Sequence, residues 1–209
     1  MKLTELQHAK RAVINFGRLN PPTIGHVKLA RVMAEAAEAL DATPLLFLSN
    51  SYDGIQSGKS KPPYKNPLPF SSKIKYCKDG IGEYVNIIDS RVMNLYDALA
   101  EVYRAGYTEC YLFGGDDRAD DFDKVKSYNG SEKLRDNQFF DFKILEVINA
   151  GKRDENSNNV EEQASASLLR KCVVDLDYER FEQFAGTKTL TEEMFEEVAL
   201  EMGIEFDWE

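Results

Sequence analysis

The stretch GRLNPPTIGH, residues 17–26, lies between the apolar run AVINF and the helix-like VKLARVMAEAAEAL. It sets a glycine, two prolines, a threonine and one of the chain's 2 histidines side by side. These residue types can grip a phosphate. Gly17 lets main chain come close to a ligand, the prolines stiffen the turn, and Thr23 falls at or near the N-cap of the following helix. His26 comes one helical turn after Thr23, so both side chains reach one point beside the helix N-terminus, where unpaired N–H groups favour an anion. The same spacing suits a plain helix start with a capping or core histidine, and T-x-G-H alone leaves the two readings open.

Such a grip needs a strand before it and a helix after it. Continuous β-rich runs occur at 11–16, 43–49, 84–89, 109–114 and 142–148, and their lack of alternation predicts strands covered on both faces. Helix-like stretches separate them at about 24–40, 70–80, 93–105 and 117–127. Alternation of this kind predicts a doubly wound parallel sheet with right-handed crossovers. Ligands of such sheets sit at the carboxyl ends of the strands, which directs attention to the loops after residues 16, 49, 89, 114 and 148. Past residue 148 a polar loop gives way to short helical patterns. Thr189 and Glu192 have capping-box spacing there, with Phe195, Val198 and Met202 on one face.

GRLNPPTIGH resembles the first signature of the nucleotidyltransferase superfamily, [HT]-x-G-H after the first strand of a Rossmann-like domain. ASASLLR, Ala164 to Arg170, resembles the second signature, I-S-[ST]-[ST]-x-x-R, with Ala164 and Ala166 as departures. The runs KNPLPFSSKIKY, FGGDDRADDF and AGKRD are similar to small bacteriophage-encoded cytidylyltransferase-like members, and GR-x-N-P to nicotinamide-mononucleotide adenylyltransferases. The resemblance covers about residues 11–172. It implies a Rossmann-like, doubly wound, five-stranded parallel sheet over 1–172, and 173–209 becomes a C-terminal helical extension.

It also implies roles. His26, Thr23, Arg170 and Lys65 become the catalytic set. Phe16, Gly17, Arg18, Gly25, Asp116, Ser165 and Ser167 become nucleotide-binding, and Arg118 and Arg153 would bind the acceptor. The implied reaction moves an NMP unit from ATP or CTP to a phosphorylated small molecule and releases pyrophosphate. Mg²⁺ would bridge the phosphates with few protein ligands, and the chain itself offers no metal site. Catalysis in such a reaction is positioning and charge stabilisation, with no covalent intermediate needed. The alternative is a non-catalytic nucleotide-binding or virion-associated protein that keeps the fold.

Composition sets the bounds. With 43% hydrophobic residues, 209 residues bury a sizeable core. A formal net charge of −10 argues against nucleic acid or an anionic membrane as partner, since both require a basic face. It does not exclude a small phosphorylated ligand in a local basic pocket, and a homo-oligomer stays open. Cys77, Cys110 and Cys172 lack metal-ligand or CxxC spacing and read as reduced core thiols, while His8 reads as surface. The N-terminal MKLTELQHAKR has no apolar signal region, so the expected location is the cytoplasm, that of a host if the chain is phage-encoded. Asn129-Gly130-Ser131 then reads as a turn. Residues 57–66, rich in lysine and proline, are expected to cover a triphosphate. They are no P-loop, because only three residues separate Gly54 from Gly58 and Pro62-Pro63 forbids the following helix.

Overall fold

The computed structural model describes residues 11–58, 62–115, 118–151 and 160–205. Strands β1 (Arg11–Gly17), β2 (Thr43–Ser49), β3 (Asn86–Val92), β4 (Glu109–Gly114) and β5 (Ile144–Asn149) form one sheet in the order β3-β2-β1-β4-β5. Every pairing is parallel. The chain winds outward from β1 in both directions, which is a Rossmann-like α/β fold. The helices are α1 (Ile24–Ala39), α2 (Phe70–Ile81), α3 (Leu95–Arg104), α4 (Ala119–Lys126), α5 (Val160–Gln163), α6 (Ala166–Val174), α7 (Tyr178–Phe184) and α8 (Thr191–Glu201). β3 starts later than its apolar run and continues to Val92, past a register irregularity opposite Phe47 and Ser49.

The chain forms two compact units. The first comprises Met1–Gly17, Leu29–Ser49 and Tyr84–Arg153. Its inner strands β1, β2 and β4 are apolar over most of their length because both faces are covered, whereas the edge strands β3 and β5 carry exposed residues, among them Asp89, Arg91 and Glu146. Ile14, Leu45, Phe47, Ile88 and Leu112 share one buried cluster with Leu99 and Val102 of α3 and Phe122 and Val125 of α4. Each such side chain contributes roughly 1.5–3 kcal/mol by leaving water. Asn94 starts α3 by accepting from the Asp97 N–H at 3.1 Å.

The second unit comprises Arg18–Lys28, Asn50–Glu83 and Asp154–Glu209. Its cluster joins Tyr76 of α2, Leu169 and Val173 of α6, Phe181 and Phe184 of α7, and Met194, Phe195 and Val198 of α8. Phe181 meets Phe195 edge to face, with centroids 5.1 Å apart. Met202 packs against this cluster from a partly buried position. The expected capping box at Thr189 does not form. Its hydroxyl donates to Asp79 Oδ1 at 2.7 Å, and Asp79 Oδ2 accepts the N–H groups of Lys188 at 2.6 Å and Thr189 at 2.9 Å. With that hydroxyl taken by α2, α8 opens after Leu190 with no side-chain cap.

All three cysteines are buried and unbonded, and burial pushes the Cys77 thiol up to about 12. Among the described residues, no helix is long and apolar enough to cross a membrane.

Candidate functional site

The second unit contains both signature motifs. β1 ends at Gly17, and the turn that follows is shaped by groups distant in sequence. Leu19 sits at φ 41, in the left-handed region, with its side chain buried. Asn20, only 2% exposed, then uses its whole amide on one peptide unit: Nδ2 donates to the Leu68 carbonyl and Oδ1 accepts the Leu68 N–H, both at 2.9 Å. An amide paired this way behaves as an added rung of sheet, and it holds a strained turn in place.

Thr23 follows at the helix start, 1% exposed. Its N–H donates to His26 Nδ1 at 3.0 Å, and its Oγ1 lies 2.9 Å from the same nitrogen. The His26 N–H in turn reaches Thr23 Oγ1 at 3.4 Å. A ring nitrogen that accepts a main-chain N–H carries no proton of its own, so the neutral imidazole holds its hydrogen on Nε2. His26 is therefore set as a donor through Nε2. Gly25 has a different reason to be glycine: a Cβ there would lie 2.8 Å from the Glu161 carbonyl oxygen and 3.3 Å from that of Ala164. Lys28 adds an ion pair to Glu162 at 3.1 Å.

Ser165 caps α6, its Oγ accepting the Leu168 N–H at 3.1 Å. One turn on, the half-buried Arg170 spans the two signatures. Its Nη1 donates to the Asn20 carbonyl at 2.6 Å and its Nη2 to Ser167 Oγ at 3.0 Å. Burial first, and then repulsion from nearby Arg18, pull the Arg170 guanidinium below its ordinary range, while Asp53 partly offsets this. Two guanidinium groups near each other, one of them desolvated, create a positive field in an acidic chain. None of α1, α2 and α6 has an acidic residue in its first turn, whereas α3, α4, α5, α7 and α8 all do.

No family model matches the sequence, and no curated protein does. Among solved structures, the crystal structure of a macrolide-efflux protein from Streptococcus pneumoniae is similar at 16% identity and TM-score 0.49. The match covers 85% of this chain and 55% of that one, so the chain spans little more than half the length of that neighbour. A likeness this distant carries no argument about activity.

The loop after β2 is tied at three successive residues. The Ser51 carbonyl accepts from Lys73 Nζ at 3.1 Å, and Tyr52 donates its hydroxyl to Glu201 Oε2 at 2.7 Å. Asp53 accepts the N–H groups of Asn66 at 2.7 Å and Lys65 at 3.1 Å. Lys73 is completely buried, and burial lowers its pKa to about 8. Burial and the bond to Glu201 raise the Tyr52 phenol. Lys65 is itself exposed. Residues 59–61 of the expected covering loop lie outside the described residues.

The remaining expected site residues belong to the first unit or to no described position. Phe16 is half-buried and Gly17 buried in β1. Arg118 opens α4, exposed, with Nη1 3.9 Å from Asp121 Oδ2. Asp116 and Arg153 lie outside the described residues, as does His8. Sequence reading passed over Asn20 and Asp53. Asn20 stood inside the quoted motif, but nothing local to it announces Leu68 or Arg170.

Proposed function

We propose that the chain is a nucleotidyltransferase that moves an NMP unit, AMP or CMP, from a nucleoside triphosphate to a phosphorylated small molecule and releases pyrophosphate. The observation that carries this reading is Arg170. It comes from the second signature, donates to the Asn20 main chain inside the first, and sits in the field of Arg18. Two cationic side chains, with the signature-bearing starts of α1 and α6 free of acidic residues and in the same compact unit, suit a polyphosphate better than any neutral ligand.

In the reaction an acceptor phosphate oxygen attacks the α-phosphorus, and the bond from that phosphorus to the oxygen bridging toward the β-phosphate breaks. The electron pair leaves with pyrophosphate. His26, protonated on Nε2 in its neutral form, donates to an α-phosphate oxygen as charge builds there, aided by the start of α1. Arg170, Ser165, Ser167 and the start of α6 hold the β- and γ-phosphates, with Arg18 and Lys65 adding charge. Roles for Phe16, Gly17, Asp116, Arg118 and Arg153 rest on the family resemblance alone. Among the described residues no group of three or more His, Cys, Asp or Glu converges on a metal position. As the resemblance implies, Mg²⁺ would arrive on the triphosphate, as part of the substrate.

The test is pyrophosphate release from each common nucleoside triphosphate against a set of phosphorylated metabolites that includes nicotinamide mononucleotide. Release with ATP or CTP and one acceptor is expected. His26→Ala then lowers turnover per folded molecule by roughly 10²–10³, with a smaller loss of nucleotide affinity, and the chain still folds, with a modest fall in melting temperature because the buried Thr23 N–H loses its ring acceptor. No release with any pair turns the reading to a non-catalytic nucleotide-binding or virion-associated protein. A destabilised but fully active His26→Ala protein removes the histidine from the mechanism.

A further inference from the structure

The geometry of His26 is secured by a segment far along the chain. Thr23 forms an isolated antiparallel bridge with Ala185, and the Gly186 N–H donates to the Pro22 carbonyl at 3.1 Å. Gly186 lies so close that a Cβ on it would fall 2.6 Å from the Thr23 carbonyl oxygen and 2.8 Å from the Thr23 nitrogen. From its other side Gly186 meets α2: a Cβ on Gly80 would fall 1.6 Å from the Gly186 carbonyl oxygen. The residues that follow are clamped as well, because the Asp79 carboxylate accepts from Lys188 and Thr189. Burial alone would raise the Asp79 pKa, but the bonds from Thr189, Lys188 and Leu190 outweigh it and hold the group ionised below the usual carboxylate range.

The Thr23 N–H faces His26 Nδ1 because the Thr23 peptide is held between the turn it ends and the Gly186 main chain. A main chain gripped by other main chain cannot rotate to release that bond, whereas a side-chain cap could.

We propose that Ala185-Gly186, wedged between α2 and Thr23, is a positioning element for His26, fixing the Thr23 N–H on Nδ1 and so keeping the ring proton on Nε2. The consequence for catalysis rests on the nucleotidyl-transfer reading; the consequence for the tautomer does not. The wedge tolerates no added atom. In Gly186→Ala the Thr23 peptide is displaced, Nδ1 loses its main-chain donor, and the neighbouring Thr23 Oγ1, which can donate to or accept from Nδ1, permits both tautomers.

The experiment is ¹⁵N NMR of the histidine rings in the full chain without substrate, with His8→Gln used to assign the signals. Wild type shows a single neutral Nε2–H tautomer for His26. Gly186→Ala, still unfolding cooperatively, shows both tautomers, and its turnover falls roughly 10²-fold through misplacement of the donor. If Gly186→Ala does not fold, Asp79→Ala, which loosens residues 188–190 without adding an atom, is measured instead, and a second tautomer population is expected. A wild-type ring protonated on Nδ1, or an unchanged Nε2–H tautomer in whichever variant folds, overturns the proposal. An inactive wild type with the expected tautomers would overturn the proposed reaction and leave the positioning role standing.

Discussion

Gly106 follows α3 at φ 92, and nothing lies within 4 Å of the place a Cβ would take. Gly80 lies inside α2 with ordinary helical backbone, yet the Gly186 carbonyl oxygen occupies the space beside it. The first glycine serves a local bend in the sheet-bearing unit. The second serves a contact between segments of the other unit that are remote in sequence. Buried polar groups divide the same way: of the described ones, Asn20, Thr23, Lys73 and Glu201 lie in the second unit and Ser49 in the first. The sheet-bearing unit is held by apolar area, which tolerates exchange of one hydrophobic residue for another of similar size. The other has an apolar cluster of its own and adds close main-chain approaches and buried hydrogen bonds, which do not tolerate a single added or missing atom.

The largest effect expected from this contrast is that of Gly80→Ala. Its new methyl group meets a carbonyl that is itself backed by Thr23, so unfolding in urea should show a loss of at least about 3 kcal/mol. A loss under about 1 kcal/mol would mean that the 185–187 segment yields freely, and the contrast would break. Lys73 comes next. Its folded pKa of about 8 lies below its ordinary 10.5, so between those values the unfolded chain binds more protons and stability rises with pH. Across that window wild type should gain about 3 kcal/mol relative to Lys73→Met. Urea midpoints at pH 7, 8, 9 and 10 give the comparison, and a constant difference would mean that Lys73 titrates normally. The smallest effect belongs to the first unit. Gly106→Ala strains one left-handed residue and clashes with nothing, so about 1–2 kcal/mol is expected. If Gly106→Ala costs as much as Gly80→Ala, the two units are not held by different means.

The same contrast governs what could be read from the sequence. β1, β2 and β4 begin where their apolar runs begin, because a strand covered on both faces must be apolar throughout, and composition records that directly. The start of α1 was legible from Pro22-Thr23, and Ser165 occupies the cap that a helix start at Ala166 calls for. Asn20, Asp79 and Gly186 were not legible in their roles. Each acts on a partner more than forty residues away; locally Asn20 and Gly186 look like ordinary turn residues, and Asp79 like a surface position of the expected 70–80 helix. Thr189 shows how such a partner overrides local grammar: its spacing to Glu192 suits a capping box, but Asp79 offers its hydroxyl a charged acceptor. The resemblance implies a nucleotide-binding role for Gly25, and the carbonyls of Glu161 and Ala164 give a packing reason for glycine there that no local pattern contains.

The wedge at Gly186 also has a bearing on how the protein is made. A ribosome has delivered every strand of the sheet, the last ending at Asn149, before it reaches Ala185. Arg170 and Asn20, 150 residues apart, must likewise wait for each other. During synthesis the nascent chain can therefore pair its strands while the TIGH turn still lacks the backbone that orients it. The imidazole acquires its fixed proton position late, when the sheet is already built.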